Sequence, residues 1–422
     1  MTARDFAQWG AYEDAVLVLK QCTKKYPMLY YYAAYYEEKM GEDEAAKKSL
    51  EKAESCASDY CFPNKLDDIA VLTFAIENGC KKKAPYYLGN LFYDKLQWKK
   101  SVELWEMSEK ADDTFSIVHR NLALAYYNKM GDSKAAKREL EKAFSLNRKD
   151  ARIFLELDQL YKKLGYSFKE RLAKYDEDPS LAESRDDLYI EYITLMNMCG
   201  EYERAYRCIM GRRFHPWEGG EGKVTTQYTI SLLEMAKQCL ASEKYEQAEK
   251  LLKKALVYPE NLGEGKLEGT KDNHLYYHLG LALEAQGKHD EAKTCFETAT
   301  IGTDEPAGAM YYNDQPADMI LYQGLAFEKL GKTREAKSRF YRLIDYGEQH
   351  LNDEGKIEYF AVSLPDFLIF DEDYTKKNRA HCCYLMALGN IGLQNREKAA
   401  KFLKEALEIE PSHMMATLYQ KQ

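Results

Sequence analysis

One pattern constrains this chain more than any other: an arrangement of small and large residues that returns about every 34 residues. Residues 273–306 show it most fully, with Tyr276, Leu279, Gly280, Leu283, Gly287, Ala292, Phe296 and Ala299 at offsets 4, 7, 8, 11, 15, 20, 24 and 27. Copies recur over 27–60, 82–115, 116–150, 317–350 and 380–413, and weaker ones start near 151, 186 and 229. Each copy reads as two antiparallel helices joined at the offset-15 glycine, which tolerates a left-handed turn. Small residues at offsets 8 and 20 let the two backbones approach where the helices cross. Large residues at offsets 4, 11 and 24 fill the space toward the next unit. A single unit cannot bury its apolar face alone, so the units must stack.

The pattern resembles the tetratricopeptide repeat, and the resemblance implies an all-α fold: a right-handed superhelix of helical hairpins with long inter-repeat loops. At least about 65% helix and almost no strand are expected of such an array. The 10 Pro and 24 Gly fit this, being too few for a turn-rich all-β chain. A net charge of −9 argues against a nucleic-acid partner. No apolar run is long enough to span a bilayer, and Met-Thr-Ala-Arg-Asp-Phe at the start has no secretory h-region. The ten cysteines are scattered, with no zinc spacing, and read as reduced thiols of a cytoplasmic protein.

The array starts irregularly. Gly10, Tyr12, Ala15, Leu19, Cys22 and Pro27 match only the second half of a unit. That predicts a missing first helix, an exposed apolar edge including Val16 and Leu19, and a chain that is the C-terminal part of something longer or is capped by another domain. The expected organisation is one continuous solenoid. Residues 1–81 hold N-terminal repeats plus a single helix at roughly Leu66–Asn78, 82–210 the central repeats, and 211–422 the C-terminal repeats with long aromatic and acidic loops. Those loops are 211–228, 258–273 and 302–316, with a longer insert at roughly 351–379. Their Trp, Tyr, Phe and His content argues for order, and stacking should bring the first three together at one edge.

The segments 214–223 (Phe-His-Pro-Trp-Glu-Gly-Gly-Glu-Gly-Lys), 305–314 and 359–366 resemble the C-terminal repeat half of large, mostly bacterial proteins. The N-terminal half of those proteins is an uncharacterised β-sandwich linked to carbohydrate metabolism. The resemblance carries no established activity and no catalytic residues.

The Gly-Lys pairs at 222–223 and 265–266 lack the first glycine and the following Ser/Thr of a phosphate loop. No zincin or nucleophile-elbow motif occurs. His274 and His278 have i, i+4 metal-ligand spacing, with Glu305 or Asp314 as a third group, but surface polar positions explain them better. No metal, cofactor or catalytic residue is therefore assigned. The loop residues expected to bind a ligand are His215, Trp217, Glu218, Lys223, Glu264, Lys266, Tyr311, Asn313 and Asp314, joined by Arg379 and His381 if the insert folds back. Tyr31, Tyr35, Tyr86, Tyr93, Tyr127 and Tyr277, with Asn90 and Asn121, take offsets that line the inner groove of a tetratricopeptide array. Exposed aromatics with polar rims suit peptide or sugar recognition. A chaperone-tail clamp is rejected because Glu156 would repel a carboxylate. The expected function is a non-catalytic scaffold holding a polypeptide, or an absent N-terminal domain of the same protein. The alternative is a carbohydrate-associated module that binds a sugar or completes that domain's active site. Exposed Trp217 and Tyr311 stacked beside carboxylates would favour the sugar.

Overall fold

The computed structural model describes residues 2–217, 219–306, 315–355 and 369–421. Helix makes up 71% of the described residues, and no strand occurs among them. Two compact units are present, Met1–Leu157 and Asp158–Gln422. In the first, helical hairpins pair Pro27–Lys39 with Asp43–Ser55 and Lys83–Asp94 with Trp98–Ala111. A third pairs Ser116–Ala125 with Ser133–Leu146. In the second, five hairpins follow one another. Their first helices are Asp186–Cys199, Lys223–Ala241, Asn273–Ala285, Met319–Lys329 and Tyr374–Gly392.

The repeat pattern explains the hairpins residue by residue. The offset-15 turn is left-handed at Gly41, Gly131, Gly287 and Gly331, with φ of 77°, 67°, 77° and 75°. Copies without that glycine keep the same turn under strain: Leu96, Glu243 and Gln394 hold φ of 59°, 58° and 60°. The offset-8 residue faces the offset-24 ring of its own hairpin. A Cβ on Gly280 would lie 2.5 Å from the Phe296 ring, and one on Gly89 would lie 2.5 Å from Trp105. Where offset 24 is Leu rather than an aromatic (Leu50, Leu140, Leu403), offset 8 is Ala (Ala34, Ala123, Ala387).

The single helix expected near Leu66–Asn78 is present as Leu66–Glu77. The missing first helix is not missing. Ala3–Gln8 forms a short helix, started by a Thr2–Asp5 capping box, and packs on Tyr12–Lys20. Ala3, Ala15, Val16 and Tyr36 share a core there, so Val16 is only 4% exposed and Leu19 is half-buried. Six residues suffice for the missing layer, too few for the repeat pattern to register.

Three buried ion clusters hold the hairpins in register. Arg171 gives Asp158 two hydrogen bonds of 2.8 and 2.6 Å and Glu191 a third of 2.6 Å. Glu156 receives Arg120 at 2.7 and 2.6 Å and Arg152 at 3.1 Å. His119 bonds Glu139 at 2.7 Å and the Asp113 carbonyl at 2.9 Å. All ten cysteines are free. Among the described residues no helix is long and apolar enough to cross a membrane.

Candidate functional site

The twice-occurring Gly-Glu-Gly-Lys segment explains how two of the long loops meet. Gly222 adopts a left-handed conformation (φ 73°) and starts the helix Lys223–Ala241. The Glu264 carboxylate accepts its N–H, at 3.0 and 3.1 Å to the two oxygens, placing negative charge at a helix N-terminus. Lys266 ties its own loop down, pairing with Asp272 at 2.6 Å and donating to the Leu256 carbonyl at 2.8 Å. Phe214 N–H donates to the Asn261 carbonyl at 2.8 Å. The Asn261 amide in turn donates to the Ile209 and Arg212 carbonyls at 2.9 Å each.

These loops flank a cavity of about 360 Å³ in the second unit. Its walls are the first helices of three successive hairpins, the 258–272 loop, and a helix Met414–Gln420. That last helix lies across the first helices. Leu418 packs with Met198 and Ile230, Gln227 donates to the Met414 sulfur, and Tyr419 OH donates to Tyr322 OH at 2.9 Å. Tyr419 also meets Tyr384, with ring centroids 6.0 Å apart, and Lys421 donates to the Met198 carbonyl at 2.5 Å.

The cavity wall carries several charged and polar groups. Lys237 pairs with Glu234 at 2.8 Å. Burial opposes the Lys237 charge, but neighbouring Tyr322 and Glu234 outweigh it and hold its pKa above the ordinary lysine value. Asp318 is 7% exposed, and burial pushes its carboxyl up to about 6. Burial also raises the carboxyls of Glu264 and Asp272 and holds His274 and His278 down to about 3, so both imidazoles are neutral. His278 Nδ1–H donates to the His274 carbonyl at 2.7 Å, while the enclosed His274 Nδ1 has no partner. Thr225, Thr226, Thr229 and Thr270 supply hydroxyls, and Ile230, Leu233, Met319 and Met415 supply apolar surface.

Of the loop residues named from sequence, Glu264 lines this cavity. His215 is exposed, and its backbone N–H and Nδ1 bond Asp186 at 2.9 and 3.1 Å. Trp217 is half-buried with its ring over Gly220, where any Cβ would clash. Lys223 is exposed at its helix start, and Lys266 is spent on its loop. Arg379 is exposed and His381 half-buried, and neither is on the cavity wall. Glu218, Tyr311, Asn313 and Asp314 lie outside the described residues.

Two of the groove tyrosines are not exposed. Tyr31 is 0% exposed and donates to Glu54 at 2.5 Å, and Tyr86 is buried against Tyr87 and Phe115. Their rings turn into the hairpin stack, which swallows them. Tyr35, Tyr93, Tyr127 and Tyr277 are half-buried, the first two set on Phe74 and Trp105. Asn90 accepts from Trp105 Nε1 and from Asn121, both at 3.1 Å, so this pair is engaged internally.

His274 and His278 are interior groups, not surface ones, and Glu305 pairs instead with Arg342 at 3.1 Å. Lys237, Asp318, Tyr322 and the Met414–Gln420 helix were missed altogether. A usable signal existed. His274 and Asp318 both take offset 2, and His278 and Tyr322 both take offset 6, of consecutive units, which stacking sets side by side.

Profiles described as tetratricopeptide repeat match residues 121–150, 274–300, 380–413 and 318–346. The chain carries tetratricopeptide repeats. Among solved structures it is similar to a tetratricopeptide repeat protein from Parabacteroides merdae. The identity is 18%, the match covers 67% of this chain and 96% of that one, and the TM-score is 0.28. It is also similar to YrrB, described as a tetratricopeptide protein with an unusual peptide-binding site, at 17% identity. That match covers 61% of this chain and 100% of the other, with a TM-score of 0.22. Human IFIT1 crystallised as a dimer with PPP-AAAA matches at 13% identity, covering 96% of this chain and 89% of that one, with a TM-score of 0.28.

Proposed function

We propose that the chain is a non-catalytic scaffold that holds a helical polypeptide segment in the groove of its second unit. The supporting observation is the helix Met414–Gln420. A short segment with Met, Leu and Tyr anchors already lies across the first helices of the hairpins, as a peptide ligand would. Its occupant in the intact chain is its own segment, and an outside partner would carry a similar apolar face and displace it. Ten free thiols suit a reducing cytoplasm.

Truncation after His413 tests this. A labelled peptide of residues 412–422 should bind the truncated chain saturably in fluorescence anisotropy. It should bind the intact chain about tenfold or more weakly, because the tethered segment competes. A truncated chain that keeps its helical circular dichroism yet binds no peptide would overturn the reading.

A further inference from the structure

The cavity beside Met414–Gln420 holds a feature that neither packing nor the polypeptide reading requires. Asp318 is more than nine-tenths buried on its wall, at the start of the helix Met319–Lys329, and no side chain of another described residue hydrogen-bonds its carboxylate, Lys237 acting on it only through space. Most of the other charges on the wall are committed, Lys271 of the loop excepted. Lys237 is held by Glu234, Asp272 by Lys266, and Glu264 by the Gly222 N–H. The same wall also carries the Tyr258 and Tyr322 rings, with Met319, Leu233 and Met415 as apolar lining. An enclosed carboxylate on the wall of a cavity of about 360 Å³ that also has apolar and aromatic lining is complementary to a cation on an alkyl shank.

We propose that this cavity is a binding site for a primary alkylammonium group, its charge on Asp318 and its chain along Met319 and Leu233. The proposal does not depend on the groove reading above: a free amine or a lysine side chain would present the same chemistry.

The pH dependence has a definite sign. Facing Asp318 are Glu234 and Lys237 from one helix, His274 from the next, Tyr322 from its own, Tyr384 from Tyr374–Gly392 and Tyr419 from Met414–Gln420. Glu264, Lys271 and Asp272 face the cavity from the loop. His274 is neutral down to about pH 3 and the tyrosines are neutral throughout, so Asp318 gains its charge as pH rises through about 6, and Glu264 and Asp272, whose carboxyls burial also raises, change in the same direction. Its carboxyl, at about 6, must be ionised to bind a cation, so affinity falls as pH drops below that value.

The test is calorimetric titration of the full chain with n-pentylammonium, with n-pentanol as the neutral isostere, at pH 7.5 and 5. The amine should bind saturably at pH 7.5, at least about tenfold tighter than the alcohol. It should lose about tenfold by pH 5. Asp318→Asn should abolish the preference for the amine while keeping or raising the melting temperature, since it removes an unpaired buried charge. Lys237→Met should tighten amine binding by freeing Glu234. A third arm uses Nα-acetyl-lysine N-methylamide: binding as tight as the amine assigns the site to a lysine side chain, and weaker binding assigns it to a free amine. Equal affinity for amine and alcohol, no binding of either, or an unchanged amine affinity in a folded Asp318→Asn would overturn the proposal.

Discussion

Gly280 and Phe296 offer a direct test of how the hairpins are specified. Glycine inside an exposed helix costs about 1 kcal/mol against alanine, so Gly280→Ala alone would stabilise an isolated helix. Here the new Cβ would stand 2.5, 2.8 and 2.9 Å from three carbons of the Phe296 ring, which is itself 3% exposed and cannot swing away. Overpacking of that kind costs ~1–3 kcal/mol, so the net change should be a loss of up to about 2 kcal/mol. Phe296→Leu alone should lose about 1–2 kcal/mol through incomplete filling. The double variant reproduces the Ala–Leu combination found at Ala34/Leu50, Ala123/Leu140 and Ala387/Leu403, so it should recover most of both losses. A double-mutant cycle from urea unfolding should therefore show a favourable coupling of ~1–3 kcal/mol. Additive effects within about 0.5 kcal/mol, or a Gly280→Ala variant that is simply more stable, would show that the pair does not set the crossing.

Other substitutions test separate links. Arg171→Leu strands the buried Asp158 carboxylate and should cost about 3–5 kcal/mol by chemical denaturation. Leu96→Gly should stabilise by about 1 kcal/mol in a thermal melt, because Leu96 is 70% exposed and gains nothing from its left-handed turn. His119 has its pKa raised: burial opposes its charge, but Glu139 and the Asp113 carbonyl outweigh it. Its contribution is therefore complete below the ordinary value of 6.5 and fades as pH rises through the folded value. His119→Gln should cost about 2 kcal/mol at pH 6 and progressively less at higher pH, measured by urea titration at each pH.

The hairpins were legible because their cause is local. Offsets 8, 15 and 24 each do one steric job, and even the weak copies starting near 151 and 186 place Gly165 and Gly200 at the left-handed turn. The site was less legible because its residues come from different layers. Glu264 was picked out for its loop, but its partner is the backbone N–H of Gly222, 42 residues away, which no residue type announces. Tyr31 and Tyr86 sit at groove offsets yet are buried, since an offset gives a side chain's angular position on its helix and not what neighbouring layers place over it. The helix Met414–Gln420 follows the last repeat without the pattern of one, so nothing in its seven residues says which surface it will cover.

The distribution of buried charge separates structure from site. Among the described residues, every other buried carboxylate or guanidinium has found its counterpart. Glu37 meets Lys20 and Ser49, Asp68 takes Tyr32 and two backbone N–H groups, and Glu139, Glu156, Asp158, Arg171 and Glu234 all sit in ion pairs. A buried carboxylate that no side chain pairs carries a desolvation cost that a bound cation would offset. Asp318 is that carboxylate, and it lies where three first helices, an ordered loop and Met414–Gln420 close around a cavity. The start of the helix Met319–Lys329 and the nearby Lys237 offset part of that cost, and an alkylammonium group in the cavity would offset more, where asparagine would have no charge to offer it.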